Sequence, residues 1–201
     1  MKKIILFTIF MIFLAGCNKP TNSAQQLFTG DPANLMLQEE DMPGLYVLME
    51  DESGIRPNEN LTMDSDDPEA QEQYLQRTGR LKGWENRFIL IEPTDILPGF
   101  IFNQVVVYET PEGAQVALNW PVAQVRETLE TERKIGDAMT LTMMPFEAPD
   151  DSAWIDYRIE FTHNNILSII VTYAPEVIAT PDYALDLAEK LSIKIQDFTN
   201  E

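Results

Sequence analysis

The residue types that carry most enzyme chemistry are scarce in this chain. Among 201 residues there is one cysteine, Cys17, and one histidine, His163. A Ser-His-Asp or Cys-His site would have to use that histidine, and the sequence has neither a Gly-x-Ser-x-Gly elbow nor a glycine-rich phosphate loop. His163 falls at the tip of a predicted hairpin, where we expect a solvated side chain. Structural zinc needs more histidines or cysteines, so we expect no cofactor and no enzyme activity.

Carboxylates are the abundant reactive groups. Asp64, Asp66 and Asp67 stand close together, as calcium binding requires, and they are the weak candidate for a calcium site. The stretch departs from an EF-hand loop because Glu69 occupies the position of the turn glycine. A glycosidase would need two carboxylates facing each other across a cleft, and the 33 acidic residues allow such a pair without indicating its place. We therefore predict no bound metal and a solvated acidic loop around residues 51–67.

The single cysteine follows a segment typical of exported proteins. Two lysines precede an apolar run over residues 4–14, which is shorter than the about 20 residues of a membrane-spanning helix but suits a signal peptide. Leu14-Ala15-Gly16-Cys17 then resembles the lipobox of bacterial lipoproteins. The resemblance implies cleavage of residues 1–16, a diacylglycerol on the Cys17 sulfur and acylation, typically by palmitate, of the new amino terminus.

Lipidation at Cys17 would determine where the domain works. Two or more acyl chains anchor a protein stably, so we expect a lipid anchor in the bacterial cell membrane or outer membrane, with the domain outside the cytoplasm. The motif fits either membrane. Twelve of the 14 basic residues and all 33 acidic ones follow residue 16, which gives that part a formal charge of −21. Such a domain repels nucleic acid, so the expected partners are the membrane and an unknown protein or small ligand.

The rest of the chain divides into a linker and one domain. Residues 17–30 are predicted to be the lipidated cysteine and a polar, flexible tether with a reach of about 20 Å. Residues 31–201 are long enough for a single domain with a sizeable core.

Local patterns in the domain predict an antiparallel α+β fold. Alternating or β-branched runs predict strands over residues 45–49, 87–91, 100–108, 138–144, 153–162 and 166–173. Helix-start signals predict helices over residues 34–41, 69–80, 111–134 and from 181 onward, and Pro121 should kink or split the third. Strand, strand and helix thus occur twice, which fits either an internal duplication or two independent uses of a Thr-Pro-acid helix start. Helices packed on an antiparallel sheet are the expected architecture.

A weak family resemblance covers the second half of the chain. Gly136-Asp137 before a strand, the hairpin over residues 157–173 and a final amphipathic helix with Leu187-Ala188 resemble a loose group of exported bacterial domains, and the order of elements resembles the Mog1/PsbP-like fold. The resemblance implies an accessory or binding role and supplies no site residues. The hairpin turn of that group is commonly basic and contains glycine, whereas here it is His163-Asn164-Asn165, so no role of a basic turn is carried over.

One strand offers a candidate binding surface. Trp154, Asp156, Arg158 and Glu160 alternate along the predicted strand over 153–162 and share one face, which the pattern predicts to be wet. A tryptophan beside charges on an exposed face is typical of a contact surface. The alternative is that another segment, such as residues 33–37, covers Trp154.

Three functions from different classes follow. The first is a lipid-anchored, non-catalytic binding or accessory module. The second is a carrier of a small apolar ligand, which predicts an apolar pocket near Trp120 and Pro121. The third is a carboxylate-based hydrolase, which predicts two acids about 5–9.5 Å apart in a cleft.

Overall fold

A computed structural model of the chain describes residues 27–42, 44, 46–63, 65–92, 94, 96–121 and 124–199. The predicted signal peptide, Cys17 and most of the predicted tether lie outside these residues. No helix in the described ranges is long and apolar enough to cross a membrane.

Eight strands in the described ranges form one antiparallel sheet. They are β1 (Tyr46–Leu48), β2 (Gly54–Arg56), β3 (Arg80–Leu90), β4 (Phe100–Tyr108), β5 (Glu127–Thr128), β6 (Ala138–Glu147), β7 (Ala153–His163) and β8 (Ile166–Pro175). Their spatial order is β1–β3–β4–β8–β7–β6–β5, and β2 pairs with β3 on the same edge as β1. The long β4 joins the β3–β4 hairpin to the β7–β8 hairpin by pairing with β8.

Helices cover both faces of the sheet. They are α1 (Asn58–Met63), α2 (Pro68–Thr78), α3 (Pro111–Leu118) and α4 (Pro181–Thr199). α4 packs on one side, which we call the front face, and α2 and α3 lie on the other, the back face. The predicted α+β class, an antiparallel sheet with helices packed on it, is confirmed.

Side-chain alternation explains the two cores. On β7, Tyr157, Ile159 and Phe161 enter the front core, where they meet the apolar stripe of α4 that includes Leu187 and Leu191. Because successive strand residues point to opposite faces, the even-numbered residues of β7 lie on the back face. The back core is smaller and joins α3 to β4 and β8.

The β7–β8 turn also holds the start of the domain. Asn164 adopts a positive φ of 52°, as a tight hairpin turn requires. The Asn165 side chain accepts from the Phe28 backbone N–H at 2.9 Å, and its Nδ2 donates to the Phe28 carbonyl at 2.9 Å and to the Tyr108 carbonyl at 2.8 Å. The predicted tether can therefore extend only as far as residue 27.

The predicted helix over 34–41 is wrong. Two short 3₁₀ turns, Pro32–Leu35 and Glu39–Asp41, flank an extended Met36-Leu37 pair instead. The side chain of Asn103 accepts from the Leu37 N–H at 3.0 Å, and that of Asn86 donates to the Leu37 carbonyl at 3.1 Å. These contacts pull the segment into the front core, which overrides its helical pattern.

The acidic segment predicted as a loop around 51–67 contains regular secondary structure in its described residues. Within it β2 pairs with β3, and α1 follows at once. The Asn58 side chain donates to the Arg80 carbonyl at 2.8 Å. Backbone pairing with β3, which composition does not reveal, gives part of the segment regular structure despite its polar composition.

The predicted helix over 111–134 is much shorter. α3 begins as expected, with the Thr110 hydroxyl accepting from the Gly113 N–H at 3.0 Å. It ends at Leu118, where the Asn119 side chain donates to the Gln115 carbonyl at 2.8 Å, just before Pro121. Farther along the chain, within the range predicted to be helical, Glu127–Thr128 form β5. α3 and α4 lie on opposite faces, so the repeated order of elements does not give a repeated packing.

Candidate functional site

The four residues of the predicted binding surface share the back face, but that face is not uniformly wet. They lie on β7 opposite back-face residues of β8. Asp156 is only 3% exposed, because Arg126 reaches over from the segment before β5 and donates to both of its carboxylate oxygens. The predicted exposure is therefore wrong at Asp156, while a contact role for Trp154, Arg158 and Glu160 stays a prediction.

Arg126 and Asp156 form a buried ion pair. The Arg126 Nη1 lies 3.1 Å from Asp156 Oδ2, its Nη2 bonds Oδ1, and its Nε donates to the Thr142 hydroxyl at 2.9 Å. Burial lowers the pKa of the Arg126 guanidinium, and the nearby Arg158 lowers it further. The pair closes this part of the back face to solvent.

Trp154 is covered by a different segment from the one expected. Its Nε1 donates to the Ser152 hydroxyl at 2.8 Å, and its ring lies 6.3 Å from that of Phe146. A Cβ placed on Gly99 would lie 3.1 Å from the Trp154 Cη2, so the ring packs against that glycine. Residues 33–37 do not cover it, since Leu35–Leu37 belong to the front core.

Trp154, Asp156, Arg158 and Glu160 together are called the β7 strip. Within it, Arg158 and Glu160 form a half-buried ion pair. The Arg158 Nη2 lies 2.6 Å from Glu160 Oε1. The Arg158 Nε is buried without a hydrogen-bond partner in the described part of the chain. Glu160 is opposite Ile169 of β8, and Ile169 lines the space described next.

A cleft separates α1 and α2 from the back face of the sheet. Its outer part, the outer cleft, has a volume of about 450 Å³. A smaller space of about 120 Å³, the inner chamber, lies deeper. Leu61, Gln71 and Gln104 line both, so the two spaces adjoin. This is the candidate functional site.

Arg80 places a buried cation in the wall of the inner chamber. The residue is 5% exposed. Its Nη2 donates to the Arg56 carbonyl at 2.9 Å and its Nη1 to the Asn58 Oδ1. Burial lowers the pKa of the Arg80 guanidinium, whereas Tyr108 and Tyr74 raise it. The guanidinium lies over Gly83, where a Cβ would approach Nη2 to 2.4 Å, so the missing side chain makes room for it.

Two tyrosines form the opposite part of the chamber wall. The Tyr74 and Tyr108 hydroxyls lie 2.8 Å apart. Burial raises the pKa of Tyr74 and raises that of Tyr108 well above its usual value, so both hydroxyls keep their protons at neutral pH. Because one proton serves the bond between the two oxygens, the other remains available to a third group.

Charges of both signs line the outer cleft. Glu85 is shared by Arg56 and by Arg87, whose Nη2 lies 3.3 Å from Glu85 Oε1. Arg87 also pairs with Glu52 at 3.0 Å. Counted over the described residues that line the outer cleft and the inner chamber, three arginines accompany one glutamate. The site is thus locally basic in a chain of formal charge −19.

The sequence contains a signal for this site that the strand and helix patterns did not use. Arg77, Arg80, Lys82 and Arg87 fall within eleven residues, and they are four of the 14 basic residues of the chain. Such a cluster of basic residues in an acidic protein indicates a locally basic surface or site. Two of them, Arg80 and Arg87, line the site, where the β3–β4 pairing brings them near Tyr108 and Gln104, whereas Arg77 lies over the Trp120 ring.

A groove also lies where the apolar carrier hypothesis predicts a pocket. It has a volume of about 700 Å³, is open to solvent, and lies beside α3, lined among others by Val116, Trp120 and Pro121. The Arg77 guanidinium sits 5.3 Å from the Trp120 ring centroid, and the Tyr74 ring meets Trp120 edge-on at 5.1 Å. The groove is on the outer side of α2 and α3, whereas the hypothesis has a cavity enclosed between sheet and helix.

His163 is half-buried, which corrects the expectation of a solvated side chain. Its Nε2 lies 2.9 Å from the Ser192 hydroxyl and 3.1 Å from Gln196 Nε2. Burial lowers the pKa of His163, and Asp137 opposes that shift. Ser192 lies inside α4, where the backbone N–H groups bond within the helix and cannot form an oxyanion hole. The contact fixes the hairpin to α4.

Of the three calcium candidates, the structure describes Asp66 and Asp67, and neither belongs to a cluster of possible metal ligands among the described residues. Asp64 lies outside the described residues. Asp67 instead caps α2 by accepting from the Ala70 N–H at 3.0 Å, and Asp66 is exposed. Within the described ranges, no group of three or more His, Cys, Asp or Glu side chains is arranged to hold a metal ion.

Comparison with known proteins gives two findings. The prokaryotic membrane lipoprotein lipid attachment site matches residues 1–18, which supports a bacterial lipoprotein anchored to a membrane. No curated protein matches the chain. The extracellular domain of PknH from Mycobacterium tuberculosis is similar at 14% identity and a TM-score of 0.46, over 84% of this chain and 94% of that one. The Mog1/PsbP-like resemblance is not confirmed.

Proposed function

We propose that this lipoprotein is a non-catalytic binding module that holds a small ligand in the cleft between α1, α2 and the back face of the sheet. The observation that carries the proposal is the joining of the outer cleft to the inner chamber through Leu61, Gln71 and Gln104. An entrance leading to a chamber with fixed polar groups is the usual form of a ligand site.

Contacts on the back face favour binding over hydrolysis. A carboxylate-based hydrolase needs two acids that face each other across open space. Here Glu85, Asp156 and Glu160 each contact an arginine. Their oxygens are engaged in holding guanidinium groups, which suits a fixed recognition surface.

A membrane anchor would favour binding by such a module. A lipid on Cys17 confines the domain to the membrane surface and raises the local concentration of whatever it binds there. The β7 strip could extend the site, because Glu160 lies opposite Ile169 of the chamber wall.

The first experiment is native mass spectrometry of the detergent-solubilised lipoprotein after incubation with a small-molecule extract of bacterial culture. We expect an adduct whose released ligand has an unchanged mass. Leu61→Trp, which places a larger side chain in the wall that the two spaces share, should abolish it. Val177→Trp, an aliphatic-to-tryptophan change at a position 92% exposed on the β8–α4 turn, is the matched control and should retain it. A ligand released with altered mass would contradict the non-catalytic proposal.

The Trp120 groove supports the carrier of an apolar ligand as a second candidate. Val116, Trp120 and Pro121 contribute apolar side chains to its lining. A fatty acid titrated into the protein should quench tryptophan fluorescence if this groove binds it, and Trp120→Ala should remove the response. Persistence of the response in that variant would exclude the groove.

A further inference from the structure

The charge of Arg80 has no compensating partner among the described residues. Its guanidinium bonds two neutral oxygens, the Arg56 carbonyl and the Asn58 amide. No carboxylate of the described part of the chain lies within 4 Å of it, in contrast to Arg56, Arg87, Arg126, Arg133 and Arg158. A buried cation is costly unless an anion accompanies it.

Gly83 and Asn58 hold the Arg80 guanidinium in a fixed position. Gly83 leaves the space that the guanidinium occupies. Asn58 both accepts from Arg80 and donates to its carbonyl. A side chain fixed from two directions is oriented before any ligand arrives, and such preorganisation lowers the cost of binding.

Hydrogen-bond donors accompany Arg80 in the wall of the inner chamber, and Glu160, the acid that acts on Tyr74 and Tyr108, is paired with Arg158. The Tyr74 and Tyr108 pair has one proton to donate, and the Gln71 and Gln104 side chains, whose amides can donate, also line the space. Apolar side chains, among them Val106, Leu167 and Ile169, form the rest of the wall. Water is poorly competitive in such surroundings, so a charge-assisted bond to arginine gains strength there.

We propose that the inner chamber binds the anionic group of a small organic ligand, a carboxylate or a phosphate, with Arg80 as its counter-ion. This rests on the proposed function and specifies the ligand class. The body of the ligand lies in the outer cleft, where Gln104 and Arg87 face it. The guanidinium fork matches the two oxygens of either anion, and the volume of about 120 Å³ admits one such group.

The test measures anion-dependent stabilisation of the detergent-solubilised lipoprotein. Inorganic phosphate and succinate are the two probes, each titrated up to about 20 mM at constant ionic strength, because a ligand that binds only the folded state raises the melting temperature. We expect one or both probes to raise it, and the stronger of the two identifies phosphate or carboxylate as the preferred group. No response to either probe would overturn the proposal.

Two variants connect the response to Arg80. Arg80→Met should weaken the apparent affinity at least tenfold while leaving the ligand-free protein folded. Gly83→Ala retains the charge but displaces the guanidinium, and it should weaken binding similarly. Arg133→Met is the matched control, because that arginine contacts three acids of α4 on the surface, and it should leave the affinity unchanged.

The outcomes separate this inference from the proposed function. A response that Leu61→Trp abolishes but both Arg80→Met and Gly83→Ala retain would show that the cleft binds ligands without Arg80, and only the inference would be overturned. If Arg80→Met does not fold, the folded Gly83→Ala variant decides. Full affinity in Gly83→Ala would overturn the inference.

Discussion

Replacing Asp156 by asparagine should destabilise the domain severely. The side chains of Arg126 and Asp156 are 6% and 4% exposed, so the substitution leaves the Arg126 guanidinium buried beside Arg158 without its carboxylate. Removing one partner of a buried pair costs about 3–5 kcal/mol of unfolding free energy. With a urea m-value of about 2 kcal/mol/M, the unfolding midpoint should fall by about 1.5–2.5 M.

The assay is equilibrium urea unfolding, followed by tryptophan fluorescence, of the chain starting at residue 17 with Cys17→Ser. The double variant Arg126→Leu with Asp156→Leu should recover most of the loss, since replacing both members of a buried pair by apolar residues is often neutral. Arg133→Ala, which breaks only exposed contacts, should change the midpoint little. A shift below about 0.3 M for Asp156→Asn would refute the reasoning, because the pair would then be solvated.

The same reasoning changes what alanine substitution of the β7 strip can reveal. A variant with Trp154, Asp156, Arg158 and Glu160 all replaced by alanine would not probe surface contact alone. Because it breaks the Arg126–Asp156 pair, it should unfold readily. Arg158→Ala together with Glu160→Ala retains the buried pair and is the suitable test of partner contact.

Four further outcomes can be measured. The ring resonance of His163, the sole histidine, should titrate with a pKa below 6.5, so the stability that its neutral form contributes is complete above about pH 6.5 and declines as the pH falls toward the folded-state pKa; a midpoint above 6.5 would contradict this. Gly136→Ala should cost more than the about 1–2 kcal/mol of a left-handed backbone in urea unfolding, because its φ is +67° and its Cβ would lie 2.3 Å from the Thr162 carbonyl oxygen. Thr110→Ala removes the N-cap of α3 and should cost about 1 kcal/mol in the same assay. Cys17→Ala should abolish the acyl mass and membrane retention seen in intact-mass measurement, and a wild-type product without added mass would contradict lipidation.

Sequence patterns predicted the elements whose local signals agree with their tertiary contacts. β4, the β7–β8 hairpin and the start of α3 are confirmed because β-branched runs, an Asn-Asn turn and a Thr-Pro cap act within a few residues. The first half of β3 was missed, since charges at Arg80, Lys82 and Glu85 obscure its alternation. Arg80 and Glu85 are buried by partners on α1 and β2, which only the folded chain brings near.

The candidate cleft was beyond prediction for a related reason. Its wall combines residues from α1, α2, β3 and β4, among them Leu61, Gln71, Arg80 and Gln104. No spacing along the chain encodes that combination. The buried position of Asp156 likewise depends on Arg126, thirty residues away, while the β7 alternation alone predicts a wet face.

The two hydrogen bonds between the Asn165 side chain and the Phe28 backbone fix the point at which the predicted tether joins the domain. Phe28 lies eleven residues after Cys17, so the tether between them spans at most about 38 Å. It attaches at the hairpin end of the sheet, where Tyr108 also bonds Asn165. The outer cleft extends toward Arg87, which pairs with Phe102 of β4. Phe102 lies six residues, or about 20 Å, from Tyr108 along β4. A ligand in the proposed site would thus enter from the side distal to the point where the tether joins the domain, and its anionic group would lie nearer that point.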